Sequence, residues 1–183
     1  MLGITGTPGT GKKSIAPIVA ERLGAKCVNL NDLAKSSRLI EGKEGEVDAG
    51  KLRLRLERDL PRNAVVYGHL LPYVLRKEWA SKVVVLRCEP AVLKERLRAR
   101  GYRAEKIVEN VEAELIGIIS SDAYDRYGNA KTWEVDTTRS SPSEAAEAIV
   151  TMTKSSPRGA QRVDWTLDYD SGAKLRFLLS TVG

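Results

Sequence analysis

The apolar positions of the chain follow two rhythms. Short, nearly continuous runs rich in Val, Leu and Ile stand at 2–5, 26–30, 64–67, 82–87 and 131–135. Such runs predict strands buried on both faces. Between them the apolar residues recur at helical spacing. Ile15, Ile18, Val19 and Leu23 share one face of a helix over 12–23, which Gly24 ends. Residues 91–100 predict a helix broken by Gly101, and a long helix is expected from about 104 to 127. Ser141-Pro142-Ser143-Glu144 is a strong helix start for 145–152. Asn31 or Asp32 is the expected cap of a short helix over 33–37.

Residues 51–60 carry both rhythms. The first half alternates as a strand would, yet Leu52, Leu56 and Leu60 fall on one helical face, and Arg55 and Asp59 are spaced to pair. The reading is a helix. A charged, glycine-rich loop is expected over 41–50 and a turn over 61–63. Strands spaced by helices imply right-handed βαβ units around a parallel sheet, so the predicted class is α/β with five parallel strands. The pattern changes after 153. Residues 154–159 resemble a linker, and two short segments, 163–169 and 173–179, predict a hairpin or an appended strand. The expected organisation is one domain over 1–153 and a C-terminal extension over 154–183, with Trp165 and Tyr169 as the place to seek partner contacts.

Composition narrows the picture modestly. A chain of 183 residues builds one domain with a real core. Its net charge of +6 favours anionic partners without demanding nucleic acid. Cys27 and Cys88 sit in strand-like runs and imply no disulfide framework. No leader and no long apolar span is readable, so a cytoplasmic protein with no membrane partner is expected.

The most informative stretch lies between the first strand and the first helix. Gly6-Thr7-Pro8-Gly9-Thr10-Gly11-Lys12 fits G-x-x-x-x-G-K, a phosphate-binding loop. Glycines let successive N–H groups face a phosphate, the helix N-terminus adds its dipole, and Lys12 reaches the β- and γ-phosphates. ATP is the expected ligand, held by Gly9, Thr10, Gly11, Lys12, Lys13 and Ser14. The residue after the loop lysine is ordinarily Ser or Thr, whose hydroxyl holds Mg²⁺. Here it is Lys13, with a hydroxyl one place later at Ser14. After the third strand, where a metal-steering carboxylate is ordinary, stands Tyr67. Three readings stay open. Lys13 takes over part of the metal's charge while Mg²⁺ is held by phosphates, water and Ser14; or the acid comes from Asp32 or Asp48; or transfer is slow and the protein is a nucleotide-gated binder. Mg²⁺ is kept as the expected cofactor.

This loop resembles the G-x-P-G-x-G-K loop of adenylate kinases and related nucleoside-monophosphate kinases. Residues Glu95 to Asn110, with Glu95-Arg96-Leu97, Arg100-Gly101-Tyr102, Lys106-Ile107 and Asn110, resemble a segment of the adenylate kinase isoenzyme 6 family. Asn31-Asp32-Leu33-Ala34, Glu46-Val47-Asp48 and Tyr67-Gly68-His69 stand where that family has its G-D-L-A, E-Y-D and acid-x-H elements. The resemblance covers about residues 1–152. It implies a P-loop kinase fold with an acceptor-binding insert near 31–60 and a short lid near 100–106. It also implies adenylate kinase and ATPase activities, and a part in small ribosomal subunit maturation. The partners implied are AMP or another nucleoside monophosphate, a small-subunit ribosomal protein and pre-ribosomal RNA. The alternative is a ribosome-assembly binder switched by nucleotide, with weak catalysis.

The resemblance assigns roles residue by residue. Lys12, Arg96 and Arg100 are the expected catalytic cations, with Arg100 also on ATP and Arg103 and Lys106 as weaker candidates. Lys35 falls where monophosphate kinases place an arginine for the acceptor phosphate. Asp48 and His69 are expected to shape the acceptor pocket, with Arg53 and Arg58 nearby. The loop after the last strand, 136–138, is expected to cradle the base through its backbone.

Overall fold

The apolar runs become a sheet because their side chains divide cleanly between its two faces. The computed structural model describes residues 1–41, 46–59, 61, 63–155 and 162–180. In chain order the elements are β1 (Leu2–Thr5), α1 (Lys12–Arg22), β2 (Lys26–Asn29), α2 (Leu30–Ser36), β3 (Ile40–Glu41), β4 (Glu46–Val47), α3 (Ala49–Asp59), β5 (Ala64–Tyr67) and α4 (Leu71–Val74). Then follow β6 (Lys82–Arg87), α5 (Pro90–Ala99), α6 (Ala104–Leu115), α7 (Ile118–Tyr127), β7 (Thr132–Asp136), α8 (Pro142–Lys154) and α9 (Gly172–Leu179). Five strands form one sheet in the order β2-β5-β1-β6-β7, every pair parallel.

Within β6, Val84 and Leu86 face one way and pack on Ile15 and Val19 of α1 and Ile149 of α8. Val83 and Val85 face the other way and join Leu52, Leu56, Leu71 and Tyr127 from α3, α4 and α7. This period of two is what a strand covered on both sides requires. A third, smaller core lies beyond the strand ends, where Leu93 and Leu97 of α5 meet Val111 and Leu115 of α6 with Trp165 and Leu178. β1 is central. Its Gly3 stands opposite Val66 of β5 on one side and Val83 of β6 on the other. The chain first fills positions on the β5 side and then crosses to β6, so the order reverses beside β1. In open α/β sheets the crevice outside the strands' carboxyl ends at that reversal is where ligands sit.

Several sequence expectations are corrected. The helix expected over 104–127 is two helices, α6 and α7, separated at Gly117 with φ 68°. That left-handed φ is one a glycine adopts without strain. The apolar spacing continues across the break and so conceals it. α2 begins at Leu30, earlier than expected, because Asn29 is its cap, its side chain accepting from the Asn31 N–H at 3.0 Å. Part of the loop expected over 41–50 is the antiparallel pair β3–β4 and the start of α3; residues 42–45 lie outside the described ones, as do Leu60, Arg62 of the expected turn, and most of the expected linker. Residues 51–59 are helical, with Arg55 and Asp59 paired at 2.8 Å. The C-terminal segment holds no strand among the described residues. Residues 166–169 form a turn, and α9 packs on α5 and α6 instead of a sheet edge. No helix among the described residues is long and apolar enough to cross a membrane.

Arg87, at the end of β6, breaks the apolar pattern while remaining 3% exposed. Its Nε donates to Glu114 at 2.7 Å and its guanidinium to Glu134 at 3.0 Å, both carboxylates buried. It also donates to the Glu114 carbonyl at 2.8 Å and the Val163 carbonyl at 2.9 Å. Removing one member of such a group leaves uncompensated buried charge, at a cost of about 3–5 kcal/mol. Arg87→Met is therefore expected to lower unfolding free energy by about that amount, measured by denaturant titration. A loss near zero would mean that the two carboxylates relax into solvent without it.

Candidate active site

A cleft opens at the carboxyl ends of β1, β2 and β5, with the glycine loop as its floor. The loop follows β1 because the backbone must pass very close to β6. A Cβ on Gly6, at φ 137°, would stand 2.4 Å from the Leu86 carbonyl oxygen. Thr10 closes the loop on itself, its N–H and hydroxyl both donating to the Thr7 carbonyl at 3.2 and 2.9 Å. Thr7 in turn donates to the buried Glu114 carboxylate at 2.6 Å. α1 starts at Lys12 without a side-chain cap, so its first N–H groups remain for a ligand.

Lys12 is wrapped by its own loop. Its Nζ donates to the Gly6 carbonyl at 2.5 Å and the Thr7 carbonyl at 2.9 Å. Burial of the ammonium drives its pKa down to about 7; Glu114 opposes the shift and Arg100 adds to it. The cleft above it is lined by Pro8, Gly9, Gly11, Lys13, Arg100 and Tyr102, and at the far wall by Asn29, Asn31, Tyr67 and His69. His69 is held below its ordinary value of 6.5, first by burial and then by the Lys12 charge. It therefore stands as a neutral imidazole near neutral pH. A second cleft opens beside the first, lined by Ala34, Lys35, Ile40, Val47 and Leu70. Asn31 and His69 line both and mark the junction between them.

The predicted residues fall into two groups. Gly9, Gly11, Lys12, Lys13, Arg100 and His69 converge on the first cleft, and Lys35 and His69 on the second. Thr10 serves the loop's own geometry. The others are engaged elsewhere. Arg96, expected beside Arg100 on phosphate, instead donates to the Thr137 and Thr138 carbonyls at 2.8 and 3.1 Å. Arg100 stands one helical turn further on, as the C-cap of α5, and lines the cleft. Asp48, expected in the acceptor pocket, accepts from the Lys51 N–H at 3.0 Å at the start of α3; this bond lowers its pKa. Arg53 donates to the Tyr73 carbonyl, Lys106 pairs with Glu109 and Arg58 with Asp59. Arg103 is exposed at the start of α6.

Sequence reasoning passed over Asn29, Asn31 and Tyr102 as cleft residues, and Thr137 as a tie. The Thr137 hydroxyl lies 2.9 Å from both the Thr10 and the Arg87 carbonyls, its N–H bonds the Arg87 carbonyl at 2.8 Å, and Arg96 braces it. The loop after β7 is thus fastened to the phosphate loop. Asparagines beside a strand end and a tyrosine after a helix-breaking glycine were the available signals.

The donor set does not fit a protein-held Mg²⁺. Hard dications take carboxylate and hydroxyl oxygens. Ser14 is exposed and does not line the cleft. The Asp32 carboxylate accepts from the Asn29 amide at 2.8 Å, and Asp48 caps α3. Both Glu114 oxygens are occupied by Arg87, Cys88 and Thr7. Among the described residues no group of acidic, His or Cys side chains is disposed to hold a metal. The cleft offers instead two ammoniums, a guanidinium, amides, two phenols and a neutral imidazole, which complement an anion.

Comparison with known proteins agrees with this architecture. Residues 2–117 match the family model described as an AAA domain. Over 178 residues the chain is 44% identical to a Pyrococcus abyssi protein, covering 93% of each chain. Over 177 residues it is 41% identical to a Thermococcus kodakarensis protein, covering 93% of this chain and 95% of the relative. Both relatives are named "Putative adenylate kinase". Among solved structures it resembles shikimate kinase from Acinetobacter baumannii in complex with shikimate, at TM-score 0.59, 21% identity and coverage of 86% of this chain and 94% of the other. A gluconokinase from Sinorhizobium meliloti 1021 gives TM-score 0.55 and 20% identity, with 83% and 91% covered. These structures share the P-loop kinase fold.

The state of Lys12 generates a test. Its pKa is near 7 in the free protein against an ordinary 10.5, and a bound polyanion favours the charged form. Between those values, binding inorganic triphosphate must take up a proton. Calorimetry at about pH 8 in buffers of different ionisation heat is expected to give uptake approaching one proton, lost in Lys12→Ala. Absence of uptake in the parent would mean that the ammonium is already charged in its cage.

Proposed function

The chain belongs to the family of these archaeal "Putative adenylate kinase" relatives, and on that premise we propose that it is an ATP-dependent nucleoside-monophosphate kinase with AMP as the favoured acceptor. The observation that carries the reading is the pair of clefts sharing Asn31 and His69, with the phosphate loop flooring one and Lys35 lining the other. Phosphoryl transfer is largely positioning and charge neutralisation, so two anionic substrates need two cation-bearing clefts that open onto one another.

In this mechanism the donor triphosphate lies on the loop N–H groups and the start of α1. Lys12 leaves its carbonyl cage for the β- and γ-phosphates. Arg100, from the end of α5, meets charge on the transferring group, and Tyr102 covers the mouth. The monophosphate acceptor lies against Lys35, its base between the apolar Ala34, Ile40, Val47 and Leu70. His69, neutral and at the junction, orients the attacking oxygen by a hydrogen bond. Arg96 is a positioning residue, since it holds the loop that faces the donor base and touches no phosphate. Slow transfer to water in place of the acceptor is the accompanying ATPase activity. From the resemblance at residues 95–110 we extend the proposal to a part in small-subunit maturation with a ribosomal protein and pre-ribosomal RNA.

A coupled assay with AMP, CMP, UMP, GMP or no acceptor tests the reading. ADP formation is expected to be fastest with AMP and well above the acceptor-free rate. Lys12→Ala is expected to lower turnover by about 10²-fold, the scale of one lost transition-state contact. If no nucleotide raises the rate above acceptor-free hydrolysis, the kinase reading fails and a nucleotide-driven binder replaces it.

A further inference from the structure

The residue after the loop lysine, Lys13, is the most unusual feature of the cleft. It lies in the first turn of α1 and lines the same cleft as Lys12, Arg100 and Tyr67. Among the described residues its ammonium has no carboxylate partner. The position ordinarily carries the hydroxyl that holds the metal on the phosphates. Across the cleft, the end of β5 ordinarily presents a metal-steering acid. Here that residue is Tyr67, 8% exposed, with its phenol pushed up by burial and so uncharged.

Both departures act in one direction. A dication bound at this place would meet an ammonium where it needs an oxygen, and a phenol where it needs an anion. Glu114 is engaged with Arg87 and Thr7 and Asp136 with Thr138, while Asp32, exposed and bonded through one oxygen to the neutral Asn29 amide, does not line the cleft. A triphosphate entering as the free polyanion meets Lys12, Lys13 and Arg100 with no acid among the described cleft residues. An ammonium is a compact point charge on a flexible stem with three donors, suited to bridging phosphate oxygens without fixed geometry.

We propose that this cleft binds nucleoside triphosphate as the metal-free polyanion, with the Lys13 ammonium standing where a protein-held divalent cation ordinarily bridges loop and phosphates. The inference rests on the nucleotide-site reading above and deepens it. It makes Mg²⁺ and Lys13 competitors for one position.

Binding separates the possibilities without reference to turnover. ATP is titrated by calorimetry into the parent and into Lys13→Thr, each in excess EDTA and in excess Mg²⁺. The parent is expected to bind at least as tightly in EDTA as in Mg²⁺. Lys13→Thr is expected to bind about tenfold more weakly in EDTA and to recover that loss in Mg²⁺. Lys13 is exposed, so the variant should fold; circular dichroism checks this, and Lys13→Arg, which keeps the charge, should retain metal-free binding. If the parent binds about tenfold or more tightly with Mg²⁺, or if Lys13→Thr matches it in EDTA, the proposal is overturned. Failure of the parent to bind ATP under either condition would instead remove the nucleotide-site reading itself.

Discussion

One buried cation holds this molecule's working end together. Arg87 is surrounded by Glu114 and Glu134, and each carboxylate passes the constraint outward. Glu114 accepts from the Thr7 hydroxyl of the phosphate loop and from the Cys88 N–H. Glu134 accepts from the Val163 N–H at 2.8 Å, and Arg87 itself donates to the Val163 carbonyl. Phosphate loop, β6, α6, β7 and C-terminal segment therefore meet at one guanidinium. Such a group costs much to desolvate and is weak evidence for net stability. Its value here is geometric. A planar fork with fixed donors admits one arrangement of the loop relative to the sheet.

The loop region is built in the same spirit of pre-positioning. Thr137 joins the loop after β7 to the loop after β1, and Arg96 and Glu89 brace that junction. Glu89 also caps α5, accepting from the Ala91 and Val92 N–H groups at 3.2 and 3.0 Å, and receives the Tyr169 hydroxyl. The C-terminal segment thus reaches the helix that carries Arg96 and Arg100. Fixed donors that need no rearrangement when charge develops are the main resource of phosphoryl-transfer sites.

What could be read in the sequence was whatever is local. Strand runs, the loop glycines and the Ser141–Glu144 capping box each depend on neighbours in the chain, and each stands where expected; the capping box forms in both directions. Whatever depends on distant partners was hidden. Arg96 and Arg100 look alike in sequence and stand one turn apart, yet Arg96 is taken up by the Thr137 carbonyl while Arg100, at the end of α5, lines the cleft. Asp48 reads as a pocket acid until α3 is seen to begin just after it. Gly117 lies inside an unbroken apolar rhythm that gives no sign of its left-handed turn. The C-terminal segments alternate weakly and were open to a strand reading, but Trp165 and Leu178 found an apolar site on α5 and α6 that no local pattern announces.

The central place of β1 also bears on the order of events in folding. β1 and its glycine loop precede in the chain both of the strands that flank them, β5 and β6. The backbone of Met1 receives the Ser81 N–H at 2.8 Å, and Gly6 closes against Leu86. Gly6 cannot close against Leu86 until about eighty further residues have been made. Contacts of such sequence separation are slow to form, because loop closure must precede any gain from pairing. During synthesis Ile15 and Val19 of α1 likewise lack Val84 and Leu86 of β6 and the later cover of α8. A chain interrupted before β6 would expose that apolar face, the condition under which parallel-sheet proteins most depend on protection from aggregation.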